Sequence, residues 1–139
     1  MAGAEPIRIR AEILNKMLEH ARSEPRIECC GLLAGRDGAI THIFPASNAL
    51  ASAKAYEIAP AELFRLFKAL RAEGLAHLGQ YHSHLHTENF PSPTDIEQAG
   101  YPDHAYFIVS LLAGAPKPIR AFSIRDGVVA ELDVVVVGE

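Results

Sequence analysis

The chain has 139 residues, 49% of them hydrophobic and 22% charged, which suits one globular domain with a core of its own and excludes a disordered or low-complexity chain. Thirteen Lys and Arg against seventeen Asp and Glu leave a net charge of −4, and the basic residues are scattered, so the basic stripe of a nucleic-acid binder is missing. No apolar run reaches membrane-span length, and the N-terminal "MAGAEPIRIR" lacks the apolar core of a signal peptide, so a cytoplasmic protein without membrane contact is expected, a single domain over residues 1–139.

In chain order, "IRI" at 7–9 reads as a short strand. Ile13, Leu14, Met17, Leu18 and Ala21 then recur at helical spacing and predict a helix over Ala11 to Ser23, ended by Pro25. The adjacent Cys29 and Cys30 suit neither a disulfide nor a zinc ribbon and read as small buried hydrophobes. "CCGLLAG" and "AITHIFP", separated by a turn at Asp37 and Gly38, predict a hairpin. "ASNALASAK" reads as a loop, followed by a short strand at Ala55 to Ile58. A second helix starts at Pro60, with Leu63, Phe64, Phe67 and Leu70 as its apolar face and Gly74 as its stop. A strand follows over Leu75 to His84. Ser92 and Pro93 open a short third helix toward Gly100, and "AYFIVSLL", "PIRAFSIR" and "VVAELDVVVV" form an antiparallel meander. The expected fold class is α/β in the α+β sense, one mixed sheet flanked by helices in the order α-β-β-α-β-α-β-β-β.

The chemistry concentrates in "YHSHLHTENFPSPTD", Tyr81 to Asp95. Alternation along a strand puts His82 and His84 on one face and Tyr81 and Ser83 on the other. Two imidazoles on one face are a ready pair of zinc ligands, and Asp95, one turn into the third helix, is the best third. Three protein ligands leave a fourth position for water, the mark of a catalytic zinc site. Ser92 with Asp95 also reads as a capping box, which needs no metal. His86, Glu88 and the histidines at 20, 42, 77 and 104 read as surface or loop residues.

His-Ser-His, seven residues, Ser, two residues and Asp, with "EPRIECCGLLAG" upstream, resembles the JAMM or MPN-plus metalloprotease family. The resemblance covers nearly the whole chain, because the family's element order matches the one above. It implies an MPN fold and one catalytic Zn2+ per chain, held by His82, His84 and Asp95 and carrying a water. It makes Glu28, the acid directly before the glycine-ended strand, the general base in preference to Glu24, and Ser92 the oxyanion donor. It places Asn48 and Tyr56 beside the cleft as substrate contacts. Leu85 stands where many relatives carry proline, which bears on the pocket rim and not on ligand spacing. The short "IEQAGYPDHA" leaves no room for the insertions of ubiquitin-chain-cutting members. The resemblance is therefore to compact prokaryotic members, and the implied partner is a ubiquitin-like, β-grasp sulfur-carrier protein, cut by a metallopeptidase or isopeptidase at its C-terminal tail. Its oligomeric state stays open between monomer and homodimer.

Two other readings compete. An MPN scaffold would bind partners without catalysis, though intact ligands oppose it. The HxH pair followed by Glu88 suits a cupin, but the two long helical patterns oppose an all-β fold. An amidohydrolase barrel needs more than 139 residues.

Overall fold

The computed structural model describes residues 5–138. Eleven elements follow one another among them: β1 (Ile7–Arg10), α1 (Ala11–Ser23), β2 (Cys30–Arg36), β3 (Ala39–Ala46), α2 (Pro60–Ala72), β4 (Ala76–His84), α3 (Pro93–Gln98), β5 (Ala105–Ser110), β6 (Ile119–Arg125), β7 (Val128–Leu132) and β8 (Val134–Val137). Both long helices fall where the 3.6-residue period predicts them, and Gly74 ends α2 at φ 72°, a conformation that disfavours any side chain. The two Asp-Gly pairs, Asp37-Gly38 and Asp126-Gly127, have positive φ at both residues, as two-residue hairpin turns require.

All eight strands form one mixed sheet in the order β7-β6-β5-β4-β2-β3-β1-β8. Here the sequence expectation needs two corrections. The final run is not one meander strand: it breaks at Asp133, and β8 leaves β7 to pair in parallel with β1, Ile7 opposite Val134. The two outermost strands are thus consecutive in the chain, which curls the sheet. The expected strand at Ala55 to Ile58 is absent, because its backbone is engaged by the preceding loop instead: Glu57 N–H donates to Asn48 Oδ1 and Ala49 N–H donates to the Glu57 carbonyl. β1, the short strand read at 7–9, adds an element ahead of the predicted order.

Each face of the sheet has its own cover. On one, α1 lays Ile13, Met17 and Ala21 against Leu33, Tyr81 and Phe107. On the other, α2 packs Leu70 with Leu32, Ala34 and Leu75, while Leu63, Leu66 and Phe67 add partly buried area. Gly31 is imposed by the first packing, since a Cβ there would lie 2.5 Å from Cε1 of the buried Tyr81. Tyr81 also shares a hydrogen bond of 2.6 Å with His20 Nδ1, and His20 meets Glu24 at 3.1 Å through its other nitrogen. His20 is therefore a partly buried link between α1 and β4, not the free surface residue expected. Nor is His77: it sits in β4 against Phe67, Tyr101 and His104, and burial pushes its pKa down to about 4.

Among the described residues no helix is long and apolar enough to cross a membrane.

Candidate active site

β2 and β4 run antiparallel with Cys30 opposite His82. Continuing that register two residues past Cys30 brings Glu28 opposite His84, and the ladder does continue: Ser83 N–H donates to the Cys29 carbonyl at 3.1 Å and Cys29 N–H donates to Ser83 Oγ at 2.9 Å. Period-two alternation then puts Glu28, His82 and His84 on one face, with Tyr81 and Ser83 behind. The chain leaves β4 at His84, and the N-terminus of α3 returns Asp95 to the same spot.

His82 Nε2 and His84 Nε2 lie 3.2 Å apart, and each is 3.1 Å from Asp95 Oδ2. This is a nearly equilateral triangle of ligand atoms. Donors around a tetrahedral zinc with bonds of roughly 2.0–2.1 Å stand roughly 3.3–3.4 Å apart, so the triangle has the size of one tetrahedral face. Among the described residues these three are the one group that could hold a metal ion. Proton placement points the same way. His84 Nδ1 donates to the Glu88 carbonyl at 2.8 Å, because a carbonyl can only accept, so once the ring loses its second proton its Nε2 lone pair faces the Asp95 carboxylate. Two acceptors that close repel each other unless a proton or a cation sits between them, so the donor set fits zinc.

Electrostatics follow from the same contacts. Burial works to raise the Asp95 pKa, but hydrogen bonds from His82 and His84 and from the Ser92 amide outweigh it and hold the carboxyl far below its ordinary value. Burial lowers the His82 pKa despite Asp95. For His84 burial is outweighed by Asp95 and the Glu88 carbonyl, and its pKa is raised. Glu28 is only 4% exposed, and its Oε1 has no hydrogen-bond partner. Burial pushes its pKa up to about 7, opposed by His84 and reinforced by Asp95.

A stability test follows for the metal-free protein. Glu28 has a folded pKa of about 7 and an ordinary value of 4.5, so its contribution is fully favourable below pH 4.5 and is lost as pH rises to about 7. In urea titrations with chelator present, wild type is expected to lose about 3 kcal/mol relative to Glu28→Gln across that window. Parallel curves for the two proteins would contradict the buried, unpaired state of Glu28.

Ser92 and Asp95 form the capping box: Asp95 N–H donates to Ser92 Oγ at 3.1 Å, and Ser92 N–H donates to Asp95 Oδ2 at 2.9 Å. Capping and ligation share one carboxylate without conflict. Ser92 Oγ accepts here, so its own O–H proton stays available to another acceptor. Tyr56 stacks on His82 with ring centroids 4.6 Å apart and 24° between planes, and burial raises its phenol pKa. Asn48, expected beside the cleft, has its amide engaged by the backbone of its own loop and of Glu28. Its Nδ2 donates to the carbonyls of Glu28 (3.0 Å) and Ala55 (2.9 Å), and its Oδ1 accepts from Leu50 and Glu57 N–H groups. Asn48 thereby ties the backbone at Glu28 to that at Ala55, next to Tyr56. Cys29 and Cys30 are buried and free, and burial pushes their thiols up to about 11 and about 12, away from reactivity. Leu85 is buried, while His86 and Glu88 are exposed and are not among the three clustered ligand residues.

Residues 10–125 match the family Prok-JAB, described as prokaryotic homologs of the JAB domain. The chain belongs to this family. Within it, the chain is 37% identical over 132 residues to a CysO-cysteine peptidase of Mycobacterium tuberculosis, covering 93% of this chain and 90% of the relative. It is 38% identical over 104 residues to a desampylase of Haloferax volcanii, covering 73% and 75%. Among solved structures, a protein of Desulfitobacterium hafniense superposes with a TM-score of 0.83 at 33% identity, covering 95% of this chain and 93% of that one. Membership in the Prok-JAB family agrees with the JAMM resemblance carried by the spacing from His82 to Asp95.

Two features of the Prok-JAB site here were not read from sequence. The Glu88 carbonyl that orients His84 is a backbone group and leaves no signature. Asn89 below it lies in a polar loop, where nothing distinguishes an inward amide from an outward one.

Proposed function

We propose that this chain is a zinc-dependent metallopeptidase or isopeptidase that hydrolyses a bond at the C-terminal tail of a ubiquitin-like, β-grasp sulfur-carrier protein. The observation that carries the reading is the triangle of His82, His84 and Asp95 with Glu28 facing His84 across the β2–β4 register. The relatives named as CysO-cysteine peptidase and desampylase support the reaction class and the kind of substrate.

His82, His84 and Asp95 would hold one zinc ion. When bound, zinc lowers the pKa of a water toward 7 and polarises a carbonyl. Glu28 takes the proton of the water that attacks the scissile carbonyl and delivers it to the leaving nitrogen as the C–N bond breaks. Its buried, unpaired oxygen gives it an unsolvated acceptor for that proton. Ser92 donates its hydroxyl proton toward the carbonyl oxygen as negative charge develops there. Tyr56 covers one face of His82 and borders the cleft, and Asn48 fixes the loop that carries it. Residues 1–139 act as one JAMM/MPN-plus domain in the cytoplasm.

The test incubates zinc-loaded protein with β-grasp proteins extended at their C-termini, through a peptide bond in one set and a lysine side chain in another, and weighs the products. Loss of the extension from at least one set is expected. Binding of the carrier with both tails left whole sinks the hydrolase reading in favour of a non-catalytic scaffold.

A further inference from the structure

We infer that Asn89 is a positioning residue for the metal centre: its buried amide pins the peptide whose carbonyl fixes the ligating nitrogen of His84. The inference rests on the metal site proposed above.

The segment 85–92 has a demanding task. It leaves a strand that carries two ligands and must return the third to within 3.1 Å of them, and each unconstrained residue in it costs backbone entropy to order. His86, Glu88 and Phe90 are exposed, yet Asn89 between the last two is only 2% exposed. A primary amide is expensive to bury unless it is hydrogen-bonded. Its Nδ2 donates to the Lys117 carbonyl at 2.8 Å and reaches the Ile108 carbonyl at 3.4 Å. Those acceptors belong to β5 and to the segment before β6, so the amide fastens the loop to the sheet itself. Ser110 Oγ adds a second hold two residues earlier by donating to the Thr87 carbonyl at 2.7 Å.

The consequence for His84 comes from peptide planarity. The Glu88 carbonyl and the Asn89 backbone nitrogen belong to one rigid unit, so anchoring Asn89 narrows the directions that carbonyl can take. The carbonyl accepts from His84 Nδ1 at 2.8 Å, which keeps the ring proton on Nδ1 and the lone pair on Nε2. Release Asn89, and the carbonyl can swing away. The imidazole is then free to carry its proton on Nε2, where it cannot ligate.

Two readouts test this. Zinc affinity is measured by competition with a chromophoric chelator, and the His84 tautomer is read from imidazole 15N signals of the metal-free protein at alkaline pH. Asn89→Ala is expected to weaken zinc by about 10–100-fold, the usual effect of removing a group that orients a ligand. It should also turn a single Nδ1–H tautomer of His84 into a mixture while His82 keeps its own. Ser110→Ala, a milder change that is expected to fold even if Asn89→Ala does not, should shift both readouts in the same direction by less. Ile13→Val, a core change under α1, should lower stability and move neither. Unchanged zinc affinity, or an unchanged His84 tautomer, in a folded Asn89→Ala or Ser110→Ala protein overturns the assignment. If wild type binds no zinc, the proposed metal centre fails, and the tautomer comparison alone still decides what Asn89 does.

Discussion

Glu28→Gln is expected to keep about one zinc per chain and to cleave its substrate about 10²–10⁴-fold more slowly, chiefly in kcat. Glutamine matches the shape of glutamate and leaves the His82–His84–Asp95 triangle intact, since Glu28 lies beside the ligands without being one of them. What disappears is the group that receives a proton and returns it. The buried Oε1 without a hydrogen-bond partner makes this substitution unusually clean, because no established contact is broken by it. Metal retention with unchanged turnover would remove Glu28 from the mechanism and leave the attacking water to be deprotonated by solvent.

His84→Ala is expected to do more. The substitution takes away one corner of the ligand triangle and leaves Asp95, held ionised by its histidine and amide partners, with a single imidazole. Two ligands do not make a zinc site of catalytic type, so metal content after dialysis should fall to background. The lost Lewis acid represents several kcal/mol of transition-state stabilisation, which at about 1.4 kcal/mol per decade converts to a rate loss of about 10³-fold or more. Metal analysis alongside a cleavage assay checks it: full zinc occupancy in this variant would place the metal elsewhere in the chain.

The two substitutions also separate what was legible in the sequence from what was not. His82, His84, Ser92 and Asp95 lie within one short stretch, so strand alternation and a helix start were enough to bring them together on paper. Glu28 is remote in sequence, and only the family resemblance picked it out before the β2–β4 register supplied the geometric reason. The helices were readable because Ile13, Met17, Leu63 and Leu70 repeat at a period that strands do not share. The break at Asp133 was not, because "VVAEL" and "VVVV" are equally β-prone and nothing local says that the second half changes partner. The segment at Ala55 to Ile58 failed for a different reason: its residues suit a strand, but Asn48 captured one of its amides, and a side chain outside the window decided the outcome. Asn89 has the same character, an ordinary loop residue whose direction only tertiary contacts set.

The change of partner at Asp133 also bears on how the protein is made. Ile7 meets Val134, so the parallel pairing that completes the sheet joins the beginning of the described chain to its end, a contact of high sequence separation that slows folding. On the ribosome, β1 has to wait until Val134 to Val137 have emerged before that neighbour exists. Until then the nascent sheet keeps an unsealed margin, exposed to pairing with other chains, and truncation before Val134 should make the protein prone to aggregate even though every residue of the proposed catalytic centre is already present.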